Sequence, residues 1–156
     1  MSTARDKQPD SFLVNSNDRY LGNGCGHMLS KGFFCTYGAL KYGAMLTRLR
    51  LGSRLFLYVN GFGVFAEGIV TDEWNGTENT PPKLTYGQDV TEYSVTVRWT
   101  KKIATTTQAV SLAALRECGQ RFFAAGVVPL RQEVAEAISA RFAAKTMKKS
   151  KQKAKR

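Results

Sequence analysis

The chain has 156 residues, of which 43% are hydrophobic, and this is the size of a single domain with a substantial core. No apolar run reaches membrane-spanning length, and the polar start MSTARDKQPD lacks the apolar segment of a secretory signal. We therefore expect a cytoplasmic protein without a membrane partner, with nucleoid-associated and nuclear locations as alternatives. Three cysteines at irregular spacing favour reduced thiols over a disulfide framework.

The net charge of +11 is concentrated at the C-terminus. Residues 145–156 carry seven of the 23 basic residues and none of the 12 acidic ones, which leaves a net charge of +4 on residues 1–144. A basic tail attracts phosphate backbones without reading sequence, although a solubilising tail or a targeting signal would look the same. We predict a disordered lead-in over 1–10, one domain over 11–144 and a disordered tail over 145–156.

The first third of the chain is predicted to contain a strand, two loops and a helix. The apolar run Ser11–Asn15 fits a first strand, and it is followed by turn-forming side chains. The glycine-rich stretch Gly22–Gly26 is expected to be a flexible loop, and it lacks the Lys-Ser/Thr ending of a phosphate-binding P-loop. Gly32–Gly38 is aromatic, bracketed by glycines and interpreted as a loop. A helix follows, with one face made by Tyr42, Met45, Leu46 and Leu49.

The stretch from Leu51 to Thr71 is the centre of the predicted fold. It contains two strands, Arg54–Val59 and Val64–Val70, joined by Asn60–Gly63, and Asn-Gly between apolar runs is a strong hairpin signal. Both faces of the first strand are apolar, so we expect it to be central in a covered sheet. One face carries Leu55, Leu57 and Val59, and the other carries Phe56 and Tyr58.

The second half is predicted to alternate strands and helices. Residues 72–90 are polar with two prolines and fit a surface loop, and Glu92–Thr100 alternates as a half-buried antiparallel strand. Ser111 should cap a helix that runs through Glu117. Arg121–Leu130 should hold a further strand, and a last helix should run from about residue 131 to 145. Together these elements predict an α+β fold, a small mixed pseudo-barrel of five to six strands with flanking helices.

Several stretches of this chain carry a family resemblance: FLVN, L-x-L-G-S-R, LFLYVNGFGVFAEGIV, V-x-V-x-W and RFFAAGVVPL. Over residues 11–144 they resemble the PUA-like superfamily, in particular its EVE and ASCH-type branch, whose hallmark is Gly-Asp-x-(apolar)-x-Tyr…Gly-x-Gly…Gly-x-Val. Ser53 stands where the family more often has Asp, so we expect the usual turn contact there to be missing.

The resemblance implies a pseudo-barrel whose cleft holds one nucleobase. EVE and related YTH domains bind modified bases flipped into an aromatic pocket, and in bacteria such domains often accompany restriction and defence systems. The matching positions are the segment Gly32–Gly38 and the turn Asn60–Gly63, and a base is expected between them.

Capture of a base needs flat apolar surfaces for stacking and polar groups for the base edge. We expect the base-binding side chains among Asn15, Ser16, Asn17, Phe34, Thr36, Tyr37, Tyr58, Asn60, Phe62 and Trp99. About half of the aromatic residues should instead belong to the core, foremost Phe56 and one of Phe33 or Phe34. Phe62 lies inside the hairpin turn, so it should be exposed unless something covers it.

Phosphate contacts are expected from two places. The predicted strand that ends at Thr100 carries Arg98, and Lys101 and Lys102 follow it directly. The tail supplies Lys148, Lys149, Lys151, Lys153, Lys155 and Arg156. Affinity carried by such contacts should fall as salt rises, because binding releases counterions from the nucleic acid.

Metal and enzyme chemistry are weakly supported by the residues. Cys25, His27 and Cys35 offer three zinc ligands where a structural site usually has four, and Cys118 is far away in the chain. His27 is the only histidine, and no nucleophile is visibly paired with it. We therefore expect no metal and no cofactor. Glu67, the one acid in the central hairpin, is expected at the barrel rim, with a hydrogen bond to an exocyclic amine as the alternative.

The residues and the resemblance together favour a non-catalytic nucleic-acid-binding module that reads a modified or flipped base in DNA or RNA. A protein partner such as a nuclease is compatible with this interpretation. Two alternatives remain open: a structural subunit of a nucleoprotein complex, and a small enzyme domain that binds a nucleotide or nucleoside.

Overall fold

The computed structural model describes residues 11–16, 24–79, 90–103, 108–120 and 126–142. The predictions for the lead-in 1–10, for Asn17 and for the tail lie outside these residues. The same holds for the tail candidates Lys148, Lys149, Lys151, Lys153, Lys155 and Arg156.

Six strands form one mixed sheet. They are β1 (Ser11–Asn15), β2 (Phe33–Tyr37), β3 (Arg54–Val59), β4 (Gly63–Asp72), β5 (Glu92–Lys102) and β6 (Val127–Pro129). Their order across the sheet is β2-β5-β4-β3-β1-β6. Strands β1 and β3 are parallel, and the other neighbouring pairs are antiparallel.

The helices flank this sheet. They are α1 (Gly24–Lys31), α2 (Leu40–Ala44), which continues into a 3-10 turn over Met45–Arg48, α3 (Leu112–Glu117) and α4 (residues 132–142). Within the described ranges, no helix is long and apolar enough to cross a membrane.

Strand β3 is central and covered on both faces, as predicted. Leu55 and Leu57 belong to one apolar cluster, which also contains residues of α1, whereas Phe56 and Tyr58 belong to a second cluster beneath α3 and α4. Because the sheet curls, β1 and β2 contribute to the same first cluster although three strands separate them. The predicted α+β pseudo-barrel with flanking helices is confirmed.

The two C-terminal helices form for the reasons seen in the sequence. The Ser111 hydroxyl accepts a hydrogen bond from the amide nitrogen of Ala114 at 3.2 Å, which caps α3. Helix α4 buries Val134, Ile138 and Phe142, which are four residues apart and therefore share one face. Both helix predictions are confirmed over the described residues.

Two loop predictions in the first third are wrong. The stretch Gly22–Gly26 was expected to be irregular, yet α1 begins at Gly24, because buried Cys25 and Met28 fix this helix against the core and outweigh the poor helix propensity of glycine. The segment Gly32–Gly38 was expected to be a loop, yet its centre is strand β2, antiparallel to β5. Phe33 and Phe34 are both core residues, whereas only one of them was expected in the core.

The helix predicted around Tyr42 is shorter than expected, and a different face of it packs against the sheet. Tyr42 is 41% exposed, and Gly43 faces the sheet in its place. A Cβ atom at Gly43 would lie 2.7 Å from Cδ1 of Tyr93, so only glycine permits this close approach. Leu46 and Leu49 are buried as expected.

The turn before β3 keeps its side-chain contact. The Ser53 hydroxyl accepts a hydrogen bond from the amide nitrogen of Arg50 at 3.0 Å. The expectation that this contact is missing was therefore wrong, because a serine oxygen reaches the same kind of backbone donor as an aspartate.

The three cysteines differ in accessibility, which predicts their reactivity. Burial raises the pKa of the Cys35 thiol, the negative charge of Glu92 raises it further, and Cys25 is buried as well. Cys118 is partly exposed at the end of α3. Since the thiolate is the reactive form, we expect a thiol reagent to label Cys118 first and the other two only on unfolding. A Cys118→Ser variant should lose the fast phase; two fast thiols in the native protein would contradict this.

Candidate nucleic-acid interface

The base-binding candidates fall into two separate groups. One group lies where β1 and β3 end and consists of Asn15, Ser16, Tyr58, Asn60 and Phe62. The other lies on β2 and β5 and consists of Phe34, Thr36, Tyr37 and Trp99.

Parallel pairing of β1 with β3 creates the first group. Asn15 pairs with Tyr58 in the register, and the amide nitrogen of Ser16 donates to the Tyr58 carbonyl at 3.0 Å. Because parallel strands end at the same edge of a sheet, Asn15 comes beside Asn60 although 45 positions separate them in the chain. The side-chain nitrogen Nδ2 of Asn15 donates to Oδ1 of Asn60 at 3.2 Å. We call this edge, with Asn15, Ser16, Asn60 and Phe62, the amide edge.

The Ser16 hydroxyl at this edge is fully buried, and its Oγ has no hydrogen-bond partner among the described residues. An unsatisfied buried hydroxyl costs about 1–3 kcal/mol, and such groups are uncommon in folded proteins. The amide edge therefore contains a polar group whose hydrogen-bonding capacity the described residues leave unused.

Phe62 is the exposed aromatic of the amide edge. Its side chain is 53% exposed, and its ring lies 5.9 Å from the Phe65 ring, tilted by 59°. The turn is held by a hydrogen bond from the Phe62 amide to the Val59 carbonyl, and Gly61 supplies the positive φ of 84°. Tyr58, by contrast, is buried in the second apolar cluster and offers no stacking face.

The second group is mainly structural. Phe34 is fully buried in the core, so it is not available for stacking on a base. The Thr36 hydroxyl donates to the Tyr42 carbonyl at 2.7 Å, and the Trp99 indole donates to the Met28 carbonyl at 2.9 Å. Tyr37 is partly buried at the end of β2.

The pairing of β5 shows how the segment Gly32–Gly38 is placed relative to the hairpin turn. Tyr37 pairs with Glu92 at the start of β5, whereas Lys102 at its other end pairs with Ala66, three residues beyond the turn. The 11 residues of β5 span about 35 Å at roughly 3.3 Å per residue. Thr36 and Tyr37 therefore lie towards the end of the sheet away from the hairpin turn, whereas Trp99, which pairs with Gly68, lies nearer the turn.

The phosphate candidates of β5 also differ from one another. A register shift opposite Glu67 and Gly68 places Thr100 between the pairs Gly68–Trp99 and Glu67–Lys101. Arg98 is exposed, and the Lys102 amine lies 3.5 Å from the Leu29 carbonyl.

Lys101 differs from Arg98, because its ammonium contacts an ionic cluster around the buried Glu67, although the Lys101 side chain is 44% exposed. Its contact with phosphates stays a prediction. The Lys101 ammonium lies 3.4 Å from Oε2 of Glu67 and donates to the Ser139 hydroxyl at 3.1 Å. Nε of Arg54 lies 2.6 Å from Oε1 of Glu67, and Ser139 donates to Oε2 at 2.9 Å.

Glu67 is therefore buried under α4 instead of lying at the barrel rim as expected, and both of its carboxylate oxygens have partners. Burial by itself lowers the pKa of Arg54, but hydrogen bonds to Glu67 and Glu136 outweigh this effect and raise it. The cluster joins β3, β4, β5 and α4, and its chemistry is that of a structural ion pair.

Sequence reasoning missed a second exposed surface around α2. Lys41, Arg48 and Arg50 are exposed there, and so is Tyr42. A signal was present in the sequence: residues 19–66 contain six basic residues and no acidic one.

In the described part of the chain, no group of three or more His, Cys, Asp or Glu residues could hold a metal ion. Cys25 and His27 lie on α1, and Cys35 lies on the adjacent strand β2.

Comparison with solved structures shows which fold the chain shares. The NMR structure of Rpa0253 from Rhodopseudomonas palustris has 16% identity and a TM-score of 0.56, covering 85% of this chain and 92% of that one. A crystal structure of a Pseudomonas putida protein has 13% identity and a TM-score of 0.54, covering 85% and 99%. A mutant of ZmASCH from Zymomonas mobilis has 10% identity and a TM-score of 0.49, covering 84% and 97%.

The first two of these similarities show a shared fold and nothing more. No family model matches the sequence, and no curated protein matches it.

Proposed function

We propose that this protein is a non-catalytic nucleic-acid-binding module with a fold of the ASCH/PUA-like type. The observation that carries the proposal is the amide edge, where the half-exposed Phe62 ring stands two residues from the Asn60 amide. Stacking on a base requires a flat apolar ring, reading its edge requires polar groups, and the amide edge carries both.

The charge of the chain supports the same proposal. The net charge is +11, and long-range attraction between a basic protein and a phosphate backbone accelerates and strengthens association. Recognition of a modified base, which the resemblance to EVE domains implies, is the finer form of the proposal. On this account the amide edge reads the base, while Arg98, Lys102 and the tail lysines contact phosphates.

Replacing Phe62 by alanine tests the proposal. Loss of one stacking ring should weaken binding to single-stranded DNA or RNA about tenfold, since stacking on an aromatic side chain is worth about 1–3 kcal/mol per base. The measurement is fluorescence anisotropy with plain and base-modified strands of both kinds. Because the side chain is half exposed, the melting temperature should change little.

A Phe62→Tyr variant is the matched control, because it keeps the ring and should keep the affinity. Equal affinity of the alanine and tyrosine variants for every strand would contradict a role of the amide edge in binding bases. A preference for one modified strand that disappears only in the alanine variant would support base reading.

A further inference from the structure

The segment Leu40–Leu51 forms an exposed surface that the amide edge does not include. It consists of α2, the 3-10 turn and the start of the following turn. Leu40, Tyr42 and Leu51 are 65%, 41% and 68% exposed, which makes them three of the four exposed large hydrophobic residues in the described part of the chain. We call this segment the α2 surface.

The α2 surface carries three basic side chains, Lys41, Arg48 and Arg50. Lys41, Arg48 and Arg50 are exposed, and none is in an ion pair within the described residues. The arginines at 54 and 141 contrast with them, since each is bound to glutamate. One carboxylate is close, that of Glu73, and it accepts a hydrogen bond from the Leu51 amide at 2.9 Å.

Hydrogen bonds hold the backbone of Tyr42, and Gly38 and Lys41 lie against its exposed ring. The Tyr42 carbonyl accepts the Thr36 hydroxyl, and its amide donates to Ala39 at 2.9 Å. A Cβ atom at Gly38 would lie 3.5 Å from the ring, so the ring packs over this glycine. The Lys41 ammonium lies 5.1 Å from the ring centroid, a cation–π contact. An aromatic ring fixed in this way loses little conformational freedom when a base stacks on it.

We propose that the α2 surface binds single-stranded nucleic acid, with Arg48 and Arg50 on phosphates and Tyr42 stacked on a base. An anionic membrane is the less suitable partner, because α2 has five residues and an amphipathic membrane helix needs a longer apolar face. A single strand exposes its bases to such a ring, whereas a duplex keeps them stacked. The inference rests on the proposed function and adds a contact surface at the opposite end of the sheet.

The test compares two charge-matched variants of the full chain, Arg48→Gln/Arg50→Gln and Arg98→Gln/Lys102→Gln. Binding of a fluorescent single strand is titrated at several salt concentrations. For the first variant we expect affinity to fall about tenfold at low salt and the salt slope to shrink by about 1.4, or 0.7 per lost phosphate contact. The loss should exceed that of the second variant.

Tyr42 provides a second, charge-neutral test. Tyr42→Ala should weaken single-strand binding about tenfold, while Tyr42→Phe should bind like the original chain, because stacking needs the ring and not the hydroxyl. Circular dichroism melting of each variant establishes that it is folded.

The outcomes separate this inference from the proposed function. If Phe62→Ala weakens binding while the Arg48/Arg50 and Tyr42 variants bind like the original chain, the α2 surface is overturned and the amide edge stands. If the Arg48/Arg50 variant loses binding only to vesicles containing phosphatidylserine, the partner is a membrane and the inference is overturned. If the original chain binds no nucleic acid, both proposals are overturned.

Discussion

Replacing Gly63 by alanine is expected to destabilise the protein by at least about 3 kcal/mol, because its backbone and its surroundings both exclude a side chain. Gly63 opens β4 with φ of 122°, a region that residues with a Cβ atom rarely adopt. A Cβ atom would lie 2.8 Å from the Val110 carbonyl carbon and 2.9 Å from Cα of Ser111, and closer still to the Val110 oxygen. The neighbouring bridge between Val64 and Val110 would have to open.

Urea unfolding monitored by circular dichroism measures this effect, and Gly61→Ala is the matched control. Gly61 lies in the same turn with φ of 84°, but a Cβ atom there meets nothing within 4 Å. The free energy of unfolding of the control should therefore fall by only about 1–2 kcal/mol, which is the cost of a left-handed backbone for a residue with a Cβ atom. Equal losses for the two variants would show that the contact with Val110 does not constrain the hairpin.

The second large effect is expected at the buried ionic cluster. Arg54→Met removes the closest partner of Glu67, whose side chain is 7% exposed, and leaves its carboxylate to Lys101 and Ser139. Breaking one side of a buried ion pair costs about 3–5 kcal/mol, because an incompletely paired charge stays in the interior. We expect a loss of about 3 kcal/mol in the free energy of unfolding, measured by urea titration.

Two further variants test whether the unpaired charge of Glu67 causes this loss of stability. Arg54→Met/Glu67→Met should recover most of the loss, since an apolar pair of similar volume replaces the buried charges. Arg141→Met breaks the exposed pair with Glu117 and should change stability by less than about 1 kcal/mol. A double variant that is less stable than Arg54→Met alone would contradict the role assigned to the Glu67 charge.

The fold was predictable wherever a segment shows its own periodicity. The two-faced pattern of β3, the alternation of β5 and the four-residue spacing of α4 each depend on local sequence, and the structure confirms them. Helix α1 was missed because it is stabilised by the burial of Cys25 and Met28, whereas the glycines around them have poor helix propensity. Strand β2 was missed because pairing with β5, about 60 residues away in the chain, makes it a strand.

The candidate site was predictable in its residues but not in its assembly. The polar set Asn15, Ser16 and Asn60 comes together only through the parallel pairing of β1 with β3, a choice of neighbours that no local pattern specifies. Conversely, Phe34 and Trp99 have the residue types of a base pocket and serve the core and α1. Composition cannot separate these uses, because stacking on a base and packing in a core require the same side chains.

We expect the folded body to bind nucleic acid independently of the basic tail. The test uses a full-length variant with Lys→Gln changes at positions 148, 149, 151, 153 and 155 of the tail. Its binding to single-stranded DNA and RNA is measured by fluorescence anisotropy at low and high salt. We expect this variant still to bind, with an affinity that falls as salt rises and falls further on Phe62→Ala. Binding that disappears with the tail charges, or that is unchanged by salt, would contradict it.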